Sequence, residues 1–246
     1  MQRSASRLPR ILACAAVPVM LVAAGCSSGS DGSGSGSGKA GSGDKAAASA
    51  SATPTPSPTP TVAPAKFAKL PEVCKAISAK TTASLVPDAK NKKGTQAASS
   101  DVNSRTGCSW NGLDDKGVDG SQYRWLDVSF YRYDSDVSLG SGQDRAEENF
   151  AKEVGKVQQT PGAKKLSTTA ATGVGEEAKT VSYQVRKTGE DFVYTSVVAR
   201  TGNVLVLLSY NGAGYAGADA PSQKSITAGA VKAAKEAVAA VAAANK

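Results

Sequence analysis

Between Tyr123 and Tyr133 the side chains alternate. Leu126, Val128 and Phe130 fall on one side, and Trp125, Asp127, Ser129 and Tyr131 on the other. A period of two predicts a strand with one buried face, the habit of antiparallel sheets. Three more strands follow in quick succession at Thr180–Arg186, Phe192–Arg200 and Val204–Tyr210. The connections Lys187–Asp191 and Thr201–Asn203 are short and contain glycine, which suits antiparallel hairpins and excludes parallel crossovers. Val204–Leu208 is continuously apolar, so it is expected to be a central strand covered on both faces. A shorter strand is expected at Cys108–Asn111, followed by a turn-rich loop over Asn111–Gly120.

Elsewhere the period is helical. Pro71 to Thr82 carries Val73, Cys74 and Ile77 on one side, and Gln143 to Val157 carries Ala146, Phe150 and Val154. Ser222 to Ala243 has a stripe of Val231, Ala234, Val238 and Val241, with Lys232, Lys235 and Glu236 opposite. Each stripe recurs every three or four residues, as an amphipathic helix requires. The element order predicts an α+β domain over Phe67–Lys246: an antiparallel sheet packed by helices.

The first 66 residues do not fit that pattern. Arg3, Arg7 and Arg10 precede an apolar run from Ile11 to Ala24 that contains Pro18. The run is shorter than the about 20 residues a spanning helix needs, but suits the apolar core of a signal peptide. It ends in Leu21-Val22-Ala23-Ala24-Gly25-Cys26, which resembles the lipobox of bacterial lipoproteins, although leucine usually occupies the position of Ala23. The resemblance implies that residues 1–25 are removed and that Cys26 carries a diacylglyceryl group. That anchor would hold the protein on the extracytoplasmic face of the cell membrane. Residues 26–66 are then a tether of Gly/Ser repeats followed by Thr/Pro alternation. This composition buries too little apolar surface to offset the entropy of ordering, so a disordered spacer is expected.

The four cysteines sort by position. Cys14 lies in the leader and Cys26 takes lipid, leaving Cys74 and Cys108. Outside the membrane an even remainder reads as one disulfide. The net charge of +8 is mild once the leader arginines are set aside, and no basic stripe is interleaved with aromatics. A nucleic-acid partner is therefore not expected. The chain contains no histidine, which excludes His-based triads and His-ligated zinc. No metal, no cofactor and no catalytic residue is expected.

With those residues in place, a family resemblance becomes visible. A helix bearing Cys74, then Gly107-Cys108-Ser109-Trp110, an alternating strand, a helix, Gly173-Val174-Gly175-Glu176-Glu177-Ala178, a hairpin and a last helix resemble actinobacterial lipoproteins of the domain of unknown function 3558 family. The similarity covers roughly Leu70 to Val241. It implies an extracytoplasmic lipoprotein and assigns no activity.

Other motifs weigh less. Gly173-x-Gly175-x-x-Ala178 has the form of a dinucleotide fingerprint, but Glu176 and Glu177 would repel phosphate and a strand follows where a helix should start. A tight turn into the sheet is expected instead. The acid pairs Asp114-Asp115, Glu147-Glu148, Glu176-Glu177 and Glu190-Asp191 are adjacent in sequence, whereas carboxylate catalysis needs two groups about 5–10 Å apart across a cleft. Trp110 is expected to pack over the disulfide. Trp125, Tyr131 and Tyr133 share one strand face, which is expected either to be covered by a helix or to form a candidate binding face for sugar or peptide with Lys90, Lys92 and Lys93 as its rim; coverage by a helix is the more ordinary outcome. The leading expectation is a non-catalytic binding or accessory module for a cell-surface or wall partner. A carboxylate enzyme acting on wall glycan and a small solute-binding lipoprotein remain as alternatives.

Overall fold

A computed structural model describes residues 61–246. The expected leader, Cys26 and most of the tether lie outside the described residues. The alternating segment becomes strand β3, Ser121–Arg132. Leu126, Val128 and Phe130 are completely buried, and the opposite set is half-buried. Around β3 the chain builds one seven-stranded antiparallel sheet in the order β1-β2-β3-β7-β6-β5-β4. The three late strands form the expected meander: β5 Glu177–Lys187, β6 Glu190–Thr201 and β7 Val204–Tyr215. β7 pairs with both β3 and β6, so the continuously apolar segment is the central strand.

Helices close the two faces unequally. On the first face, α3 (Gln223–Ala243) lies over β6 and β7, while a 3-10 turn at Val73–Lys75 and helix α1 (Ala79–Leu85) lie over β2 and β3. Their apolar side chains join Trp110, Leu126, Val128, Phe130, Val197, Val206 and Leu208 in the main core. The Cys74–Cys108 disulfide ties the 3-10 turn to β2 (Arg105–Asp115). On the second face, α2 (Gly142–Gln158) sets Phe150 and Val154 against Val181, Tyr183, Val198 and Leu205.

The chain joins the domain at the β6–β7 turn. Asn203 is fully buried there and fully used. Its Oδ1 accepts from Phe67 N at 2.7 Å, and its Nδ2 donates to Phe67 O at 3.0 Å and to Tyr133 O at 2.9 Å. Just before it, Lys66 pairs with Glu176 at 2.7 Å, and Ser135 Oγ donates to Ala63 O at 2.6 Å.

Five elements differ from their sequence expectation. The first helix is split, because Ser78 leaves the helical conformation to cap α1: its hydroxyl accepts from Thr81 N. Glu236 of α3 reinforces the break by accepting from Ser78 N at 2.8 Å and from Thr81 Oγ1 at 2.5 Å. Strand β2 runs on to Asp115 where a loop was expected, since Asn111 to Asp115 pair with Trp125 to Ser121. Strands β1 (Thr95–Gln96) and β4 (Lys164–Ala170) are additional. β4 is an edge strand whose exposed, polar residues give no alternation to read. The buried stripe of α3 is also rotated from the expected one. Ile226, Gly229, Ala230, Ala233, Ala234, Ala237 and Val241 face the sheet, while Val231 and Val238 are only partly covered. The small residues permit close approach: a Cβ on Gly229 would stand 2.7 Å from Leu85 and 2.8 Å from the Tyr210 ring.

Candidate binding face

The second face of β3 is where polar and aromatic chemistry gathers. Register places Trp125 between Asn111 of β2 and Asn211 of β7, and Asp127 between Ser109 and Ser209. One step along, Tyr123 lies opposite Leu113 and Ala213. Because side chains alternate across a strand, all of these project from one side of the sheet. The cluster closed by α2 does not include Trp125 or Asp127, so this stretch of sheet is left without a helix of its own.

Asp127 is the unusual member. Trp125 Nε1 donates to its Oδ2 at 3.2 Å, and the carboxylate accepts no other hydrogen bond from the described side chains. Burial raises its pKa from 3.8 to about 6, against the smaller lowering effect of the Trp125 hydrogen bond. A carboxyl so placed changes charge in the mildly acidic range, where ordinary carboxylates are fully ionised.

Aromatic rings continue the face toward β6. Tyr123, Phe192 and Tyr215 meet edge-to-face, with centroids 5.9 to 6.4 Å apart. Tyr183 and Tyr194 stack at 5.0 Å. Lys187 donates to Tyr194 Oη at 2.8 Å and lies over the same ring. Burial, with Tyr215 and Tyr194 nearby, pushes the Tyr123 hydroxyl above its ordinary pKa, so it stays a neutral donor and acceptor.

The three residues singled out from the sequence do share this face, but the structure separates them. Tyr131 and Tyr133 pack beside the α2 cluster, under Arg105 at 5.0 Å and Arg145 at 5.7 Å. A guanidinium thus occupies a face of each ring. Trp125 stands apart from them with Asp127. The expected lysine rim is not a rim to Trp125: Lys92 and Lys93 border cavities beside α1, on the first face, next to Trp110 and Cys74. Asp127 carries no local sign of its burial, because it looks like any polar residue on the outer side of an alternating strand.

The other motifs resolve simply. Gly173 and Gly175 have φ of 73° and 66° and form the turn that leads into β5. The acid pairs are held at the surface by basic partners: Asp114 by Lys116, Glu148 by Lys152, Glu176 by Lys66 and Arg200, and Asp191 by Arg186. Among the described residues no cluster of three or more metal-ligating side chains occurs, and no helix is long and apolar enough to cross a membrane.

No family model and no curated protein matches the chain. One solved structure does, LpqN, described as involved in cell envelope biogenesis of Mycobacterium tuberculosis. The overlap spans 58% of this chain and 82% of that one, at 15% identity and a TM-score of 0.31. A likeness this slight bears neither on fold nor on function.

Proposed function

We propose that this chain is a lipid-anchored, extracytoplasmic lipoprotein that binds a hydroxyl-rich wall partner without transforming it, through the face around Trp125 and Asp127. Asp127 carries the reading. It is a half-buried, desolvated carboxyl, held by one indole N–H and flanked by Ser109, Ser209, Asn111 and Asn211. Buried ionisable groups of perturbed pKa concentrate at functional sites. A half-open aromatic surface beside hydrogen-bonding side chains is suited to a sugar ring, which offers an apolar face and polar edges. The carboxylate-enzyme alternative fares worse. Glycoside hydrolysis takes two carboxyls roughly 5–10 Å apart, and in the strand rows that hold Trp125, Asp127 and Ser129 no second acid stands on this side of the sheet. The anchor rests on Gly25-Cys26, on the basic leader and on the resemblance to lipoproteins of the domain of unknown function 3558 family.

The test is sedimentation of the full chain with insoluble cell-wall glycan. Wild-type protein should cosediment, and Trp125→Ala should lower capture by about tenfold, the loss typical of a stacked aromatic anchor. Equal capture by both proteins would remove this face. Release of soluble sugar by the wild type would overturn the non-catalytic reading. Separately, Cys26→Ala should abolish labelling by a fatty-acid analogue; retained labelling would sink the anchor.

A further inference from the structure

Strand register lines up Trp125, Asn211 and Tyr194 side by side on the second face, over β3, β7 and β6. The adjoining row on the same face holds Asp127, Ser209 and Ser196 over the same strands. Asn211 is only 6% exposed, yet its side-chain amide makes no hydrogen bond among the described residues. The polar groups around it are engaged elsewhere: Trp125 with Asp127, Thr195 with Thr227, and Tyr210 with Leu85 O. Asn203, buried as deeply, uses both ends of its amide. Buried polar groups are nearly always paired, and an exception calls for a cause. The unpaired side-chain atoms that are sealed from solvent are Trp110 Nε1 and Arg200 Nε. The Asn211 amide is not among them, so it keeps an opening through which a ligand can reach it.

The two rings beside it are held in place. Trp125 Nε1 donates to Asp127 Oδ2 at 3.2 Å. Tyr183 stacks on Tyr194 from the β5 side at 5.0 Å, and Lys187 donates to the Tyr194 hydroxyl at 2.8 Å. Their strands stand two spacings apart, about 10 Å, with Asn211 between them. The arrangement is an amide flanked by aromatic rings, with hydroxyls in the next row.

An asparagine amide presents a donor and an acceptor side by side. A planar ligand amide meets both at once: its carbonyl accepts from Nδ2 and its N–H donates to Oδ1. A sugar hydroxyl, with a single oxygen, does not match that two-point geometry. The methyl of an acetyl group gains by leaving water against the flanking rings. Asp127 forms no ion pair among the described residues, so a neutral substituent suits the place better than an anionic one. We infer that the partner is an N-acetylated amino sugar, whose acetamido group pairs with Asn211 between Trp125 and Tyr194. This rests on the reading of the face as a glycan site, and adds the group that the site selects.

Calorimetric titration of the full chain compares three tetrasaccharides of one linkage: N-acetylated chitotetraose, its deacetylated form, and cellotetraose, which has a hydroxyl in place of the acetamido group. The acetylated sugar should bind about tenfold more tightly than cellotetraose, the scale of one paired polar group. Asn211→Leu, of similar size, should abolish that preference and leave cellotetraose binding within about twofold of the wild type. Equal affinity of the wild type for the acetylated sugar and cellotetraose, or a preference that survives in Asn211→Leu, would overturn the inference and leave the wall-binding reading standing. Tighter binding of the deacetylated form would overturn it in favour of an ammonium at Asp127. Binding of none of the three sugars also overturns it; cosedimentation with wall glycan then decides whether the reading of the face falls as well.

Discussion

The two faces of the sheet share the same strands but are closed by different means. On the first, α3, α1 and the disulfide-tied turn press small and aliphatic side chains into one continuous core. On the second, α2 covers β5, β6 and the Tyr131 side of the face, and leaves Trp125, Asp127 and their asparagine and serine neighbours to one another. The first face is where apolar burial gathers. The second spends part of its area on a carboxyl whose burial is unfavourable. The main core and the proposed binding face are thus separated by the thickness of one sheet, and β3 contributes to both through alternate residues.

The largest expected effect tests the first face. Phe130→Ala removes a fully buried ring from the main core and should lower the unfolding free energy by about 3–5 kcal/mol, the usual cost of such truncations. Chemical denaturation measures it; a loss below about 1 kcal/mol would mean that this core is not the main source of stability. Next is the disulfide, which closes a loop of 34 residues. Replacing both Cys74 and Cys108 by serine should cost about 3–4 kcal/mol, and alkylation of native, unreduced protein should find neither thiol.

On the second face the sign should reverse. Asp127 has a pKa of about 6 in the folded state against an ordinary 3.8. The folded protein therefore holds this proton more tightly than the unfolded chain. The side chain's contribution is most favourable below about pH 4 and is lost as pH rises through about 6. At about 1.4 kcal/mol per pH unit, Asp127→Asn should stabilise the protein by up to about 3 kcal/mol near pH 8 and by almost nothing near pH 3. Unfolding curves at the two pH values decide this, and a uniform effect would mean that the carboxyl is not buried. Smallest is Trp125→Phe, which keeps a ring and removes the single donor to Asp127. Stability should change by less than about 1 kcal/mol, while the Asp127 midpoint, followed by carboxyl ¹³C shifts, should move further above its value in the wild type.

How much of this was legible beforehand depends on whether the cause is local. Alternation at Leu126, Val128 and Phe130 reports a strand because side-chain direction follows the backbone itself. The hairpins at Gly189 and Gly202 were readable for a similar reason: both glycines adopt positive φ, 89° and 53°, which tight turns favour. The edge strand β4 was not readable, since a strand flanked on one side only, with exposed threonines and lysines, leaves no apolar period. The candidate face was half legible: Trp125, Tyr131 and Tyr133 could be placed on one side of β3, but the arginines above two of them come from β2 and α2.

By itself the sequence determined the α+β class, the antiparallel meander with its apolar central strand, the pairing of the two leftover cysteines, and the side of β3 that faces the core. These follow from periodicity, turn chemistry and elimination, each expressed within a few residues or by a simple count. Tertiary structure alone decided which stripe of α3 turns inward, because close approach of Gly229 to Leu85 and Tyr210 outweighs the larger apolar area of Val231 and Val238. It also decided that Asp127 is desolvated and that Trp110 Nε1 lacks a partner among the described residues. Both depend on which strands and turns come to lie beside them, and the desolvation of a polar atom is set by neighbours distant in sequence.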